Sequence, residues 1–120
     1  MRSNDPPGRG DVFYSPFDYT DLTPGKRRPV CVVSGNQFNA SGPDVMVAMI
    51  TSRPRLIRSP GIGDVVVSSW EEAGLVKPSV LRTGSVRTLE TSRLEGRLGR
   101  LTKGDMELVD SALKEVLALS

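Results

Sequence analysis

The chain has 120 residues, of which 38% are hydrophobic and 25% are charged, and its formal net charge is +2. This length suits a single domain that buries its own core, and the composition is typical of globular proteins. The sequence contains no histidine and only one cysteine. Catalytic triads with histidine, Cys-His pairs, intrachain disulfides and zinc sites built on histidine or several cysteines are therefore excluded. Without a membrane-length apolar run or a signal peptide, we expect a cytoplasmic protein.

Hydrophobic patterning predicts many short strands followed by one clear helix. We expect a loose tail over residues 1–8 and a single domain over residues 9–120. In chain order, strands are predicted at 10–14, 29–34, 45–50, 64–70, 79–82 and 85–89, with loops or turns at 17–25, 35–44, 55–63 and 71–74. This order predicts a mainly β fold with a C-terminal helix (α+β), in which the strands form a small curled sheet or barrel.

The C-terminal helix is predicted from its start signal and its periodicity. Thr102 and Asp105 have the spacing of a capping box, and Leu101 and Met106 flank them as a hydrophobic staple. An apolar face then follows at helical spacing. Its residues are Met106, Val109, Leu113, Val116 and Leu117. We expect this helix to cover one side of the sheet.

A basic turn leads into the second predicted strand. Lys26, Arg27 and Arg28 precede Pro29, and the apolar run 30–33 that follows reads as a strand buried on both faces. This pattern puts Pro29 at the first position of the strand and Arg28 just outside the core. A cation on a rigid strand beside a loop suits phosphate binding. The alternative is a basic turn that only solubilises the end of the strand.

Arg28 and Thr51 form the first candidate constellation. Arg28 comes just before the second predicted strand and Thr51 just after the third, so antiparallel pairing would bring both to one edge. A guanidinium and a hydroxyl there could stabilise the transition state of phosphodiester cleavage in RNA, whose own 2′-OH can act as nucleophile. In the alternative reading, Thr51 simply ends a strand.

Two further sets of residues, one basic and one acidic, could have either a functional or a purely structural role. A basic set could line a groove for single-stranded nucleic acid, with nearby aromatic rings for stacking, or could be a solvated rim. Asp18 and Asp21 could form a carboxylate pair, but their loop position favours turn residues. Cys31 lies inside an apolar run and is expected to be buried rather than nucleophilic. The basic set is Arg53, Arg55, Arg58, Arg82 and Arg87, and the rings are Tyr14, Phe17, Tyr19 and Phe38.

The order of short motifs along the chain resembles the MazF/PemK family of toxins from type II toxin–antitoxin systems. The resemblance extends over residues 9–118. The motifs that carry it are Gly10-Asp11-Val12, Thr20-Asp21-Leu22, Lys26-Arg27-Arg28-Pro29-Val30, Ile50-Thr51-Ser52, Gly63-Asp64-Val65-Val66, Trp70-Glu71-Glu72-Ala73-Gly74-Leu75, Lys77-Pro78-Ser79-Val80, Arg87-Thr88-Leu89 and Gly99-Arg100-Leu101.

The resemblance implies a small SH3-like or CcdB-like β-barrel that forms a homodimer. It also implies an endoribonuclease that cleaves single-stranded RNA, often mRNA, at short sequence motifs, without metal or other cofactor. The expected products are a 2′,3′-cyclic phosphate and a 5′-OH, and the expected protein partner is an antitoxin from the same bacterium.

The family's functional arginine and threonine fall on Arg28 and Thr51. Some members carry an acid at the positions of Thr23 and Gly84, so the general acid/base assigned in those members does not transfer; Asp18 or Asp21 could substitute. The residues expected to contact RNA are Lys26, Arg27, Ser52, Arg53, Arg82, Arg87 and Tyr19.

Two other functions remain open from the sequence. The first is a toxin of the same fold that inhibits DNA gyrase without cutting nucleic acid. The second is a catalytically silent module that binds RNA with strong salt dependence. The paired presence of Arg28 and Thr51 argues against the gyrase inhibitor. The silent module stays open and would be distinguished by binding RNA without yielding products.

Overall fold

The structure, a computed structural model, describes residues 6–16 and 27–120. Six strands, two short α-helices, one 3-10 turn (Thr91–Arg93) and one long C-terminal helix follow one another along this part of the chain. The strands are β1 (Asp11–Pro16), β2 (Arg27–Val32), β3 (Asp44–Thr51), β4 (Asp64–Val67), β5 (Ser79–Glu90) and β6 (Glu95–Arg100). The helices are α1 (Asn36–Ser41), α2 (Pro54–Arg58) and α3 (Lys103–Leu117). The predicted mainly β fold with a C-terminal helix is confirmed.

All six strands belong to one antiparallel sheet in the order β4-β5-β3-β2-β1-β6. The sheet ends at β4 and β6, so among the described residues the expected barrel does not close. The turn after β4 nevertheless reaches β6, because two glycines allow the backbones to touch. A Cβ at Gly99 would lie 2.7 Å from the carbonyl group of Ala73, and one at Gly74 would overlap the carbonyl of Leu98. The sheet therefore curls, and a packed turn spans part of the gap between its edges.

Strand β2 lies at the centre of the sheet and is buried on both faces. Cys31 contributes to one hydrophobic cluster, together with α3 residues, while Val30 and Val32 contribute to a second cluster. This division follows from the alternation of side chains along a strand. Burying one such valine stabilises the fold by about 1.5–3 kcal/mol. The two-sided burial predicted from the apolar run is confirmed.

The start of β2 differs from the prediction in a way that matters for the site. The strand begins at Arg27, and Arg28 is paired with Ser15 of β1. Pro29 is therefore the third residue of the strand, and Arg28 lies within the ladder rather than just outside it. Backbone pairing on β1 holds Arg28 more firmly than a loop position would.

Helix α3 begins as its capping pattern predicts. The Oγ1 of Thr102 accepts a hydrogen bond from the backbone N–H of Asp105 at 3.2 Å. The Asp105 carboxylate turns outward from the helix instead of completing the box. It accepts hydrogen bonds from Ser68 Oγ at 2.8 Å and from the backbone N–H of Ser69 at 3.1 Å. The start of α3 is thereby attached to the turn after β4.

The apolar face predicted for α3 is correct only over its first turns. Val109 is fully buried, and Met106 and Leu113 pack against the core. Leu117, however, is 59% exposed. The periodicity continues to Leu117, whose side chain the rest of the structure leaves largely uncovered, so the sequence pattern could not show where packing stops.

Two segments predicted as loops contain short helices. Helix α1 occupies part of the predicted turn region at 35–44, and α2 part of the predicted loop at 55–63. The buried Asn39 side chain of α1 donates to the carbonyl oxygens of Pro7 and Ser34. A residue type that suggested a turn therefore bonds to other parts of the backbone, which lets the local chain stay helical.

The two short strands predicted at 79–82 and 85–89 form one twelve-residue strand, β5. The Thr83-Gly84 pair that suggested a turn is a bulge, because Arg82 pairs with Met49 whereas Val86 pairs with the adjacent Ala48. Thr83 N–H and Oγ1 both donate to the Gly63 carbonyl at this point. The bulge lets β5 bend along the sheet without ending.

No helix in the described part of the chain is long and apolar enough to cross a membrane.

Candidate active site

Strands β2 and β3 bring Arg28 and Thr51 to the same place. The pairs Val30–Met49 and Cys31–Ala48 fix the antiparallel register, and extending it by two residues sets Arg28 opposite Thr51. The two strand ends therefore meet at one edge, as the sequence predicted. Both side chains are partly buried, which leaves them accessible to a ligand but limits their rotamers.

Arg28 and Thr51 line one cavity with a volume of about 280 Å³. Its walls come from β1, β2, β6, the end of β3 and the segment that leads into β5. The lining residues are Tyr14, Arg27, Arg28, Pro29, Ile50, Thr51, Ser52, Arg53, Leu75, Val76, Lys77, Ser79 and Leu98. A cavity that combines a few polar groups with apolar walls is the usual form of a ligand site.

The cavity is strongly cationic. Arg27, Arg28, Arg53 and Lys77 line it, and no carboxylate stands among its described lining residues. No carboxylate lies on the walls themselves, so the positive fields of Arg28, Arg53 and Lys77 add within the cavity. The charge of Arg27 is partly balanced by Glu95, which lies just outside the cavity. The arrangement therefore suits an anionic ligand, and guanidinium groups are well shaped for phosphate.

Arg27 is the cation whose contacts are clearest. Its Nε lies 2.9 Å from Oε1 of Glu95 on β6. Its guanidinium carbon also lies 4.8 Å from the centroid of the Tyr14 ring, which is a cation–π geometry. The side chain thus crosses over β1 at the rim of the cavity.

The hydroxyl of Thr51 faces a turn that begins helix α2. Its Oγ1 accepts a hydrogen bond from the backbone N–H of Arg53 at 3.4 Å, so the hydroxyl proton is left to donate elsewhere. Arg53 is the N-cap residue of α2, and Pro54 begins that helix. This local turn directs Ser52 and Arg53 into the same cavity as Thr51.

Two arginines expected at the RNA site lie outside this cavity. Arg82 forms an ion pair with the buried carboxylate of Asp64 at 3.0 Å, which fastens β5 to the edge strand β4. Arg87 lines a separate depression together with Arg93 and Pro16. As RNA contacts, Arg82 and Arg87 stay predictions, and the structure does not group them with Arg28.

Lys26 and Tyr19, also expected to contact RNA, lie outside the described residues. The same is true of Asp18 and Asp21, the two carboxylates considered as substitutes for the general acid/base, and of Thr23.

The described residues offer neither a metal site nor an accessible cysteine nucleophile. Within residues 6–16 and 27–120, no three side chains of His, Cys, Asp or Glu are grouped so that they could hold a metal ion. Cys31 is fully buried, and this burial raises the pKa of its thiol to about 12. The expectation that Cys31 is a buried residue and not a nucleophile is confirmed in its first part, and the raised pKa accords with the second.

Comparison with known families decides the relationship of the chain. A model of the PemK-like, MazF-like toxins of type II toxin–antitoxin systems matches residues 8–117. The chain belongs to this family. The resemblance read from the motif order is thus confirmed.

Solved structures of MazF toxins share the fold of this chain. An endoribonuclease in complex with its cognate antitoxin from a mycobacterial species is 23% identical with a TM-score of 0.73, and the match covers 98% of this chain and 97% of that one. Toxin MazF-mt6 of Mycobacterium tuberculosis is 22% identical with a TM-score of 0.74, over 92% and 98% of the two chains. A MazE–MazF structure from Deinococcus radiodurans is 21% identical with a TM-score of 0.72, over 96% and 98%.

In this member of the MazF-like family, the cavity also contains residues that the sequence reading missed. Lys77 lines it from the segment before β5 and Ser79 from the first position of β5, and the side chain of Ser79 donates to the Lys77 carbonyl at 2.8 Å. The motif Lys77-Pro78-Ser79 did contribute to the family resemblance, and a lysine beside a proline in that motif was the available signal. Tyr14 was noted only as one of several rings, since nothing local to it indicates that Arg27 lies over it.

Proposed function

We propose that this MazF-like toxin is an endoribonuclease that cleaves single-stranded RNA, with Arg28 and Thr51 acting on the scissile phosphate. One observation carries the proposal: Arg28 and Thr51 line a single cationic cavity whose described walls hold no carboxylate. The structural relatives described as endoribonucleases have the same fold. RNA supplies both the anionic phosphate that such a cavity attracts and an internal nucleophile.

The reaction that fits these groups is a transesterification. The ribose 2′-oxygen forms a bond to phosphorus as the bond from phosphorus to the 5′-oxygen breaks, and the proton lost from the 2′-OH is balanced by one gained at the 5′-oxygen. The products are a 2′,3′-cyclic phosphate and a 5′-OH. Negative charge builds on the non-bridging oxygens of the pentavalent transition state. There the Arg28 guanidinium and the Thr51 hydroxyl donate hydrogen bonds that strengthen as the charge grows.

Two finer features belong to the same proposal. Cleavage proceeds without a metal ion, because the described cavity walls hold no carboxylate to bind one and the charge on the phosphate is met by arginine and lysine side chains. Cleavage is also selective for a short sequence, because apolar residues such as Leu75, Val76 and Leu98 line the cavity beside the cations. Apolar walls of fixed shape favour some bases over others next to the bound phosphate.

The decisive experiment is RNA cleavage by purified protein in the presence of EDTA. A mixed-sequence single-stranded RNA is incubated with wild type and with Arg28→Ala, and the fragment ends are identified by mass. Wild type should yield 2′,3′-cyclic phosphate ends. Arg28→Ala should be slower by about 10²- to 10³-fold, the usual cost of losing one preorganised donor to a charged transition state.

A matched control separates this effect from general loss of positive charge. Lys114 is exposed on α3, lies outside the cavity and carries the same charge as Arg28, so Lys114→Ala should cleave at the wild-type rate. Circular dichroism checks that both variants are folded. Failure of antitoxin-free wild type to cut any RNA in EDTA, with cleavage restored by a divalent cation, would refute the metal-independent form. Failure under both conditions would refute the nuclease.

We also propose an antitoxin as the protein partner. Among the structural relatives, one mycobacterial endoribonuclease is described in complex with its cognate antitoxin, and MazE–MazF structures are described from Deinococcus radiodurans. An extended acidic segment would be complementary to the four cations of the cavity and would compete with RNA there. Adding the antitoxin should therefore abolish cleavage, whereas a stoichiometric complex that cleaves at the full rate would contradict this site of inhibition.

A further inference from the structure

Arg27 takes part in an arrangement that the proposed reaction does not use. Its guanidinium lies over the face of the Tyr14 ring, 4.8 Å from the centroid, and its Nε lies 2.9 Å from Oε1 of Glu95. Tyr14 and Arg27 line the cavity, whereas Glu95 does not. A carboxylate just outside the cavity therefore holds one of its cations across an aromatic ring.

The strand register explains why the three residues meet. Tyr14 on β1 pairs with Glu95 on one side and with Pro29 of β2 on the other. Arg27 is two residues before Pro29 on the same strand, so its side chain must cross β1 diagonally to reach Glu95. Tyr14 is the diagonal neighbour of Arg27 on the adjacent strand, which is within reach of a long side chain, and Glu95 lies on the next strand beyond it. The ring of Tyr14 lies directly under that path.

The ion pair between Arg27 and Glu95 is weak because both side chains are exposed to solvent. The side chains of Arg27 and Glu95 are 52% and 50% exposed. Exposed pairs gain little from their attraction, because water and salt screen the charges and both long side chains must be ordered. An RNA phosphate in the cavity offers Arg27 a second anion, in a place where Arg28, Arg53 and Lys77 already attract it.

Moving Arg27 would uncover an aromatic surface. Tyr14 is partly buried and lines the same cavity as the apolar side chains of Val76 and Leu98. A ring fixed at the edge of a cationic groove is the usual platform for a nucleobase, since every base has a π face. The base that stacks there would be next to the phosphate held by Arg27.

We propose that Arg27, Tyr14 and Glu95 form a gate over a nucleobase subsite. Without RNA, Glu95 holds Arg27 across the ring. When RNA enters, a phosphate takes Arg27 from Glu95, and Tyr14 stacks on the adjacent base. Tyr14 and Arg27 are then binding residues, and Glu95 is a positioning residue that weakens RNA binding. This inference rests on the proposed function only in taking RNA as the ligand, because it concerns binding and not cleavage.

The test measures equilibrium binding of a mixed pool of single-stranded 2′-fluoro oligoribonucleotides, which lack the nucleophile, by fluorescence anisotropy. Glu95→Gln keeps the size of the side chain and removes its charge. It should tighten binding by about 1.5- to 5-fold, the range expected when a competing surface ion pair is lost. Glu115→Gln is the matched control, because Glu115 is an exposed carboxylate on α3 beside β4, and it should leave the affinity unchanged.

A double-mutant cycle tests whether Glu95 acts through Arg27. Arg27→Gln alone should weaken binding, and adding Glu95→Gln to it should produce no further tightening. Independent effects would mean that Glu95 acts only as a distant repulsive charge. Tightening by Glu95→Gln of equal size with and without Arg27 would therefore overturn the gate.

The base subsite has its own pair of variants. Tyr14→Leu should weaken binding by about 5- to 150-fold, the range measured for losing one base–aromatic stack, whereas Tyr14→Phe should bind like wild type. Wild-type affinity in Tyr14→Leu would overturn the subsite. Unchanged RNA binding by Glu95→Gln together with tighter binding of an acidic antitoxin peptide would assign the arrangement to protein recognition instead, and would also overturn it.

Failure of the nuclease proposal and failure of the gate proposal give different experimental results. A protein that binds the 2′-fluoro pool but cuts no RNA would refute the nuclease and leave the gate testable by the same variants. A wild type that cuts RNA while Glu95→Gln and Tyr14→Leu both bind like wild type would refute the gate and leave the nuclease intact.

Discussion

Adjacent arginines in β2 have different environments because they occupy alternate positions of a strand. Arg27 is exposed and extends across β1 to Glu95, whereas Arg28 is partly buried beside the end of β3. Thr51 faces Arg28 in the extended register of these two strands. Two side chains of the same type therefore have different surroundings: Arg27 lies at the rim of the cavity, and Arg28 is less exposed.

Thr51 gives the first prediction at this scale. If its hydroxyl donates to a phosphate oxygen in the transition state, Thr51→Val should lower kcat by about 10²-fold or more with little change in KM. Thr51→Ser keeps the donor and should retain most of the activity. Single-turnover cleavage of RNA checks both variants, and equal rates for Thr51→Val and wild type would remove Thr51 from the reaction.

Asp11 shows how a single buried charge is held on β1. Its side chain is fully buried and accepts hydrogen bonds from Arg100 Nε at 2.8 Å, Arg97 Nη2 at 3.2 Å and the backbone N–H of Gly8 at 2.8 Å. Burial by itself would raise the pKa of this carboxyl, but the hydrogen bonds from Arg100, Gly8 and Arg97 outweigh burial and lower it below its usual value. The ionised form therefore fastens β6 to β1.

The pKa shift of Asp11 predicts how stability depends on pH. Since the folded carboxyl has the lower pKa, the unfolded chain binds the proton first as pH falls, and the stabilisation from Asp11 is lost as pH drops from the ordinary value of 3.8 through the folded pKa. Asp11→Asn should cost about 2–3 kcal/mol of unfolding free energy at pH 7. Urea unfolding should show that the difference in unfolding free energy between wild type and Asp11→Asn becomes smaller below pH 3.8. A free-energy difference that does not change with pH would contradict an ionised Asp11 paired with the two arginines.

At the scale of elements, the two edges of the sheet are linked by the turn after β4 and not by pairing between strands. The turn is fixed at one point by the Asp105 carboxylate of α3, which accepts hydrogen bonds from Ser68 and Ser69. At another point, Gly74 and Gly99 let it lie directly on β6. Edge strands are otherwise open to pairing with other chains, so this contact also covers part of the β6 edge.

Gly74 gives the prediction at this scale. Its φ of +82° is unfavourable for any other residue, and a Cβ would overlap the carbonyl of Leu98. Gly74→Ala should therefore lower the free energy of unfolding by about 2–4 kcal/mol. Gly104→Ala is the matched control, because Gly104 lies in α3 with nothing near its Cβ position, and it should be neutral or stabilising by up to about 1 kcal/mol. Equal stability of the two variants in urea would show that the turn does not rest on β6 as described.

At the scale of the whole molecule, β2 lies between two hydrophobic clusters and contributes buried side chains to both. Cys31 lies in the middle of this strand, fully buried, with its thiol pKa raised to about 12. A thiol reagent should therefore label native protein only through global opening, at a rate that rises in parallel with urea unfolding. Labelling as fast as that of an unfolded peptide under native conditions would contradict the placement of β2 at the centre.

The oligomeric state is the second prediction at this scale, and it rests on the family resemblance. We expect a homodimer, so light scattering coupled to gel filtration should give twice the 13.0 kDa mass of the chain. A mass of 13.0 kDa at micromolar concentration would contradict it. Several exposed apolar side chains on and near α3 are available for burial in such a contact. They are Ile62, Val66, Leu108, Val116, Leu117 and Leu119.

Local sequence patterns predicted the features that depend on neighbours in the chain. The apolar run of β2 predicted a strand buried on both faces, and Thr102 predicted the start of α3, because side-chain periodicity and helix capping act within a few residues. The positions of Arg28 and Thr51 at two strand ends were likewise enough to predict that they meet. The order of motifs over the whole chain supplied the family, which no single motif could.

The grouping of the charged side chains was decided by contacts between residues far apart in the chain. Arg82 and Arg53 look alike in sequence, yet Arg82 pairs with Asp64 across β4 and β5 while Arg53 lines the cavity with Lys77. The pairing of Arg27 with Glu95 depends on the register of β1 with both β2 and β6, and a shift of one residue would turn these side chains to the other face. Composition and periodicity thus predicted the β fold, and strand-end positions together with motif order singled out the two residues proposed to act on the phosphate. Which cations share the cavity was determined by the tertiary structure, because charge placement follows strand register and not local sequence.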